Sequence, residues 1–335
     1  IQMMGRAGRP QFDRSGVAVI MCEDTMQAHY RALVSGCRDI ESGLANNLIE
    51  HVNAEVGLQG RMTEAQIQNW IRQSFMWTRL HKNPTYYLSK DEGICLDSLE
   101  DILHHLCSKT LAALQAASLV SYSDGTAVVK PTEYGEIMSR YFLRHKTMLA
   151  LMKIPEGANT RAVLEAVAEA EEFEDQRLRQ GEKGFLSSLR THAEIRFPPR
   201  QVARVADKVS LLIQAHLSLV NLAQYHKAGP GDATPYLDIK RIMPHATRIC
   251  KAAVDIAIYR RDGQTCKVAL DLARSISAGG WDGSPAILRQ VDQVGDAAGL
   301  GHAAGDPVEL RIARHRLAGG VGVGGLAVVD EGHCL

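Results

Sequence analysis

Apolar and polar residues alternate along this chain with two distinct periods. Val17 to Cys22 form a short unbroken apolar run, the pattern of a buried strand. Thr63 and Gln66 stand at capping-box spacing, and Ile67, Trp70, Ile71, Ser74 and Thr78 then recur at helical intervals, predicting one helix over 63–78. Asn83-Pro84-Thr85 ends it. A second helix is predicted over 97–118, with Leu99, Ile102, Leu103, Leu106 and Leu114 on its inner side. Leu119–Ser123 and Thr126–Lys130 flank Asp124-Gly125, a two-residue turn that tolerates positive φ at both positions, which predicts a β-hairpin. A helix follows from Thr132 through Tyr141 toward Met152. Helices followed by a two-stranded wing are the element order of a winged helix.

From residue 156 the periodicity is almost wholly helical. Segments 160–180, 182–193, 200–226, 236–262 and 264–276 are separated by breaks that include Pro198-Pro199 and Gly229-Pro230-Gly231, which predicts a helical bundle. Periodicity fades over 296–335, where Gly299, Gly301, Gly305, Gly319, Gly320, Gly322, Gly324, Gly325 and Gly332 accumulate, and no fold of its own is expected there.

Composition narrows the function classes. Thirty-eight Lys+Arg balance 38 Asp+Glu over 335 residues, which excludes a uniformly basic nucleic-acid coat but not a local basic track. No apolar run approaches the roughly 20 residues that span a bilayer, so no membrane partner is expected. The seven cysteines are scattered without a Cys-x-x-Cys pair, against a disulfide framework or a zinc ribbon. His104, His105 and Cys107 place at most two ligands on one helix face, so no metal site is read from the sequence. The acidic run Glu169–Asp175 reads as a solvated helix face, and Trp70 and Trp77 as packing residues.

Gln2-Met3-Met4-Gly5-Arg6-Ala7-Gly8-Arg9 is the stretch with the most specific chemistry. Two arginines three apart, with glycines letting the backbone bend, suit a loop that offers planar, permanently charged guanidinium groups to a phosphate chain. The string resembles motif VI of the superfamily two helicases, and its extension Pro10-Gln11-Phe12-Asp13 is similar to the Ski-like group. Leu48-Ile49-Glu50-His51-Val52-Asn53-Ala54-Glu55 and Arg196-Phe197-Pro198 look closest to the meiotic, crossover-promoting DNA helicases of that group. Gln214-Ala215-His216-Leu217 is similar to the start of the helical domain these helicases share with a protein-translocation component, the Sec-sixty-three type.

The resemblance implies a mainly α chain. The end of a RecA-like α/β lobe would occupy 1–38, a winged helix 39–150, a helical domain 151–295 and the Gly-rich tail 296–335. It implies ATP and Mg²⁺ as cofactors, with Gln2, Gly5, Arg6, Gly8 and Arg9 at the nucleotide, Arg6 and Arg9 in catalysis, and Arg9 as the finger on the γ-phosphate. No Gly-x-x-x-x-Gly-Lys-[Ser/Thr] occurs in the 335 residues, so the first lobe, with most of the ATP and Mg²⁺ contacts, is expected upstream of Ile1, and the chain by itself is expected to be inactive. Asp330-Glu331-Gly332-His333 spells a Mg²⁺-binding pattern of helicases, but it falls on the wrong side of motif VI.

The helix over 236–262 resembles the ratchet helix that lies across single-stranded nucleic acid in this family. Arg241, His245, Arg248, Ala252 and Asp255 share one face, while Ile239, Ile242, Met243, Ile249, Val254 and Ile256 fall in other phases. Arg241, Arg248 and Lys251 are the expected nucleic-acid contacts, with single-stranded or branched DNA the partner. A winged helix that read DNA directly would add Arg140, Arg144 and Lys146 as phosphate contacts. The implied activity is that of an ATP-dependent 3′–5′ DNA helicase acting in meiotic recombination in the nucleus. Two alternatives stand beside it: an RNA or DNA-repair helicase of the same group, and a stand-alone winged-helix binding or scaffold protein.

Overall fold

In a computed structural model, residues 7–9, 11–36, 40–87, 98–123, 127–222 and 234–284 are described. Gln2, Gly5 and Arg6, the Asp124-Gly125 turn and the tail 296–335 lie outside them. The described chain is mainly helical, as the patterning predicts.

The run Val17–Cys22 departs from expectation. It belongs to no strand or helix, and its side chains are exposed, Met21 by 93%. A strand exists only as a member of a sheet, and the described residues offer this one no partner. Helix α1 (Asp24–Val34) follows and buries none of its residues.

The winged helix begins with a network around Glu41. Its carboxylate accepts hydrogen bonds from Arg79 (Nη2 at 2.8 Å), Asn83 (3.0 Å) and the Tyr87 hydroxyl (2.8 Å). These bonds, with Arg79 the largest influence, hold the Glu41 carboxyl down at about 2. Next come α2 (Leu48–Gln59), β1 (Met62–Thr63), α3 (Glu64–Arg72), α4 (Phe75–Lys82), the short α5 (Pro84–Tyr87) and α6 (Leu99–Ala116). The capping box forms as spaced: Thr63 Oγ1 accepts the Gln66 amide at 3.3 Å, and Gln66 Oε1 accepts the Thr63 amide at 2.8 Å. The single helix expected over 63–78 is instead two. Ser74 turns extended and its hydroxyl donates to the Ile71 carbonyl at 2.7 Å, closing α3 and starting α4.

Strands β2 (Val120–Tyr122) and β3 (Val128–Pro131) form the wing, and the sheet order β1-β3-β2 is antiparallel throughout, with Met62 opposite Val129 and Tyr122 opposite Val129 on the other side. Thr132 then caps α7 (Glu133–Arg140) through the Gly135 amide and donates its hydroxyl to the Ser118 carbonyl at 2.7 Å. Helix α7 packs so closely on this corner that a Cβ on Gly135 would stand 2.2 Å from the Leu119 carbonyl oxygen and 2.8 Å from Asn53 Oδ1. Gly135→Ala is therefore expected to destabilise the fold by about 1–3 kcal/mol, the usual range for overpacking. A lowered denaturation midpoint in urea checks this; an unchanged midpoint means the corner has room to give.

The helix expected to run to Met152 breaks after α7 and resumes as α8 (His145–Met152). The bundle then comprises α9 (Thr160–Ala168), α10 (Glu182–Arg190), α11 (Val205–Leu217), α12 (Thr234–Tyr259) and α13 (Gly263–Ala278). The helix expected over 160–180 stops at Ala168, and the acidic run after it is solvated only in part: Glu169, Glu174 and Asp175 are exposed, while Glu171 and Glu172 turn toward α8. Glu172 turns back to cap α8, accepting the Arg144 amide at 3.0 Å and the Thr147 hydroxyl, while Glu171 meets Lys146 at 3.0 Å. Val163, Leu164, Val167, Phe173, Leu186, Leu211, Leu212, Ile249 and Leu272 belong to one buried core that is continuous with that of the winged helix.

Candidate nucleotide and nucleic-acid interfaces

The described part of the Gly–Arg bend is a compact turn. Gly8 adopts φ +82°, a left-handed conformation that glycine takes without strain. Gly16 folds back so that a Cβ there would lie 2.5 Å from the Ala7 carbonyl oxygen. Asp13 accepts the Arg9 amide at 2.8 Å and Arg9 Nε at 3.4 Å, and the guanidinium lies over the Phe12 ring at 5.2 Å. The Arg9 side chain is 76% exposed, so its two terminal nitrogens face outward. Among the described residues, its side-chain contacts are local to this turn.

Helix α12 carries the second set. Arg241 and Lys251 are exposed and form no ion pair among the described residues. Arg248 is half-buried; its Nη2 lies 3.2 Å from His245 Nδ1 and 3.9 Å from Glu172 Oε1, while its buried Nε has no hydrogen-bond partner. Glu172 is already engaged by Arg144 and Thr147, so it holds this guanidinium loosely. Partial desolvation of the ring and then the Arg248 charge set the His245 pKa below its ordinary value.

Two residues placed on that face by periodicity are not on it. Ala252 is fully buried, and Asp255 accepts Arg140 Nη1 at 2.9 Å and the Tyr141 hydroxyl at 3.0 Å. Helix α7 covers the face here, a tertiary contact that helical spacing does not record. The same contact engages Arg140, and Lys146 is paired with Glu171 and Glu174 (3.0 and 3.6 Å), so neither stands free as a phosphate contact. Helix α6, in the position of the recognition helix of a winged helix, exposes Glu100, Asp101 and His104 along its first half, a poor match to a phosphate-lined groove. Cys107 is a core thiol, pushed up to about 12 by burial.

Sequence reasoning missed a buried charge cluster one turn ahead of Arg241. Lys208 on α11 is fully buried, with Nζ 2.8 Å from Glu182 Oε1 on α10 and 2.9 Å from Asp238 Oδ2 on α12. Arg179 adds a bidentate contact to Asp238 at 2.9 and 2.8 Å. The available signal was a lysine at the head of the apolar run Val209–Ile213. The cluster ties α12 to two other helices and so fixes where its cations point.

Among the described residues, no group of three His, Cys, Asp or Glu could hold a metal, and no helix is long and apolar enough to cross a membrane.

A winged helix braced through α7 against a helical bundle, with cations along one long bundle helix, defines the class. The chain belongs to the Sec63 Brl domain family, which matches residues 131–299, and residues 41–124 match the winged helix-turn-helix domain. It is 32% identical over 303 residues to the ATP-dependent DNA helicase MER3 of Saccharomyces cerevisiae, covering 88% of this chain and 25% of that protein. It is 32% identical over 301 residues to the probable ATP-dependent DNA helicase HFM1 of Xenopus tropicalis (88% and 22%). To the human activating signal cointegrator 1 complex subunit 3 it is 31% identical over 283 residues (84% and 12%). The resemblance to the Ski-like helicases read from the sequence is borne out by these relatives. The chain spans at most about a quarter of their lengths.

Proposed function

We propose that this chain is the strand-gripping part of an ATP-dependent DNA helicase of the MER3/HFM1 kind, acting in meiotic recombination in the nucleus. The observation that carries the reading is the run of cations on α12, exposed Arg241 and Lys251 with half-buried Arg248 between them at spacings of seven and three, while Ile239, Ile242, Ile249 and Ile256 lock the helix into the bundle. Such cations follow phosphates without reading bases. Single-stranded or branched DNA is the expected partner, and similarity to the two DNA helicases favours DNA over RNA.

The donor set fits one edge of a nucleotide site and no more. Arg9 offers an outward guanidinium suited to a γ-phosphate, with Gln2, Gly5, Arg6 and Gly8 beside it in the sequence. Bound Mg²⁺ would neutralise charge on the transferring phosphate, and its ligands are expected in a RecA-like lobe of the same protein. Arg9 in this arrangement stabilises developing charge on the phosphoryl oxygens. The 335-residue chain alone is accordingly expected to be inactive as an ATPase.

Fluorescence anisotropy with labelled oligo(dT) tests the grip. Each phosphate contact contributes about −0.7 to the slope of log K against log salt for single strands. The Arg241→Ala/Arg248→Ala double variant is expected to flatten that slope by about 1.4. An unchanged slope with unchanged affinity removes α12 as the strand path.

A further inference from the structure

Helix α7 ends in a left-handed turn. The Leu143 amide reaches the Met138 carbonyl at 2.9 Å, the Phe142 amide reaches Ser139 at 3.1 Å, and Phe142 itself takes φ +48°. Glycine is the usual residue at such a position, because a Cβ is crowded there. A large side chain can be compensated by burial, yet Phe142 is 79% exposed. The backbone strain is carried with no packing return, and strain of that kind concentrates at functional positions. Ser118, Leu219 and Arg261 also take left-handed conformations, and none of them presents an aromatic ring.

The location of the turn supplies the second observation. The residues on both sides of Phe142 are tied down close to α12, one flank directly and the other through Glu172. On one side Arg140 and Tyr141 bind Asp255. On the other, Glu172 Oε1 accepts the Arg144 amide and lies 3.9 Å from Arg248 Nη2. Phe142 therefore stands beside α12 between the levels of Arg248 and Asp255, the stretch where Lys251 is exposed. An exposed apolar ring with no hydrogen-bonding group, on a turn tied to the helix that carries Arg248 and Lys251, has the chemistry of a sequence-tolerant stacking platform.

We propose that Phe142 stacks against a base of single-stranded nucleic acid running along α12, while Arg241, Arg248 and Lys251 follow its phosphates. The inference rests on the reading of α12 as a strand-gripping helix and adds a contact from the turn between α7 and α8, outside that helix.

The test uses the 335-residue chain, labelled oligo(dT), and an abasic phosphodiester strand of equal length. Phe142→Gly relieves the left-handed strain, so it is expected to melt no lower than wild type. It is also expected to bind oligo(dT) about 5- to 150-fold more weakly, the loss of one stacking contact. Its affinity for the abasic strand and its salt slope should stay at the wild-type values, and Phe142→Trp should restore oligo(dT) binding. Unchanged oligo(dT) affinity in Phe142→Gly overturns the proposal and leaves the ring to a protein partner; an equal loss on the abasic strand also overturns it. If the wild-type chain binds neither strand, the reading of α12 fails and this proposal with it. Normal salt-dependent binding that is lost in Arg241→Ala/Arg248→Ala but kept in Phe142→Gly overturns this proposal alone.

Discussion

In a protein carrying both motor lobes, Arg9→Ala is expected to lower ATP turnover by about a thousand- to a hundred-thousand-fold, the range measured for loss of an arginine finger. Single-strand affinity should stay within about twofold, because the strand contact proposed for α12 rests on phosphate charge independent of the finger. The geometry behind this is local. Gly8 at φ +82° and the close approach of Gly16 to Ala7 fold the loop into a bend that presents Arg9 outward. Asp13 holds the Arg9 amide and Nε, and Phe12 lies beneath the guanidinium, which fixes the stem while leaving both terminal nitrogens exposed. A planar, bidentate donor held at its base suits charge that develops on phosphoryl oxygens. Arg9→Lys should recover little, since a point charge on a flexible stem replaces the fork. Steady-state phosphate release is the measurement, and turnover near wild type in Arg9→Ala would take Arg9 out of the finger role.

The same bend marks where sequence stops informing structure. Local chemistry was legible: the Thr63–Gln66 box, the strands either side of Asp124-Gly125, and the buried Ile239, Ile242, Ile249 and Ile256 on α12 all follow from neighbours within a few residues. Tertiary choices were not. Val17–Cys22 has the composition of a strand, but strand formation needs a pairing edge that composition cannot supply. The helix over 132–152 breaks at Phe142, where Arg140 and Tyr141 bind Asp255 on α12 and the Arg144 amide binds Glu172, and the helix over 160–180 gives way to the segment from which Glu172 caps α8. Ala252 and Asp255 left the exposed face for the same reason, a partner helix that a single-helix projection does not contain. In the proposed functional set, residue type and spacing point to Arg9, Arg241, Arg248 and Lys251 but not to Phe142, since φ is invisible in a sequence.

Asp238→Ala is expected to lower stability by about 3–5 kcal/mol, the cost of leaving a buried charge without its partner, and to lower the melting temperature by about 10 °C. Asp238 and Lys208 are both fully buried, and the carboxylate holds Lys208 at 2.9 Å together with the Arg179 fork. Its loss leaves the buried Lys208 ammonium with one carboxylate, Glu182, and the Arg177 carbonyl oxygen. The pH dependence has a definite sign. Burial by itself would raise the Asp238 pKa, but the hydrogen bonds from Arg179 and Lys208 outweigh it and hold the group below its ordinary value. A depressed carboxyl contributes stability that is present above its unfolded pKa of about 3.9 and lost as pH falls through the folded value. Wild type should therefore lose this contribution on the acid side of pH 4, where Asp238→Ala shows a shallower fall. Replacing both partners, Asp238→Leu with Lys208→Met, removes the stranded charge and should recover part of the loss, because Arg179 is 41% exposed and can still meet Glu182. Since Asp238 sits one turn ahead of Arg241, the single variant should also weaken oligo(dT) binding. A melting temperature within about 2 °C of wild type would show that α12 is held by its apolar face alone, with the charge cluster adding nothing to its placement.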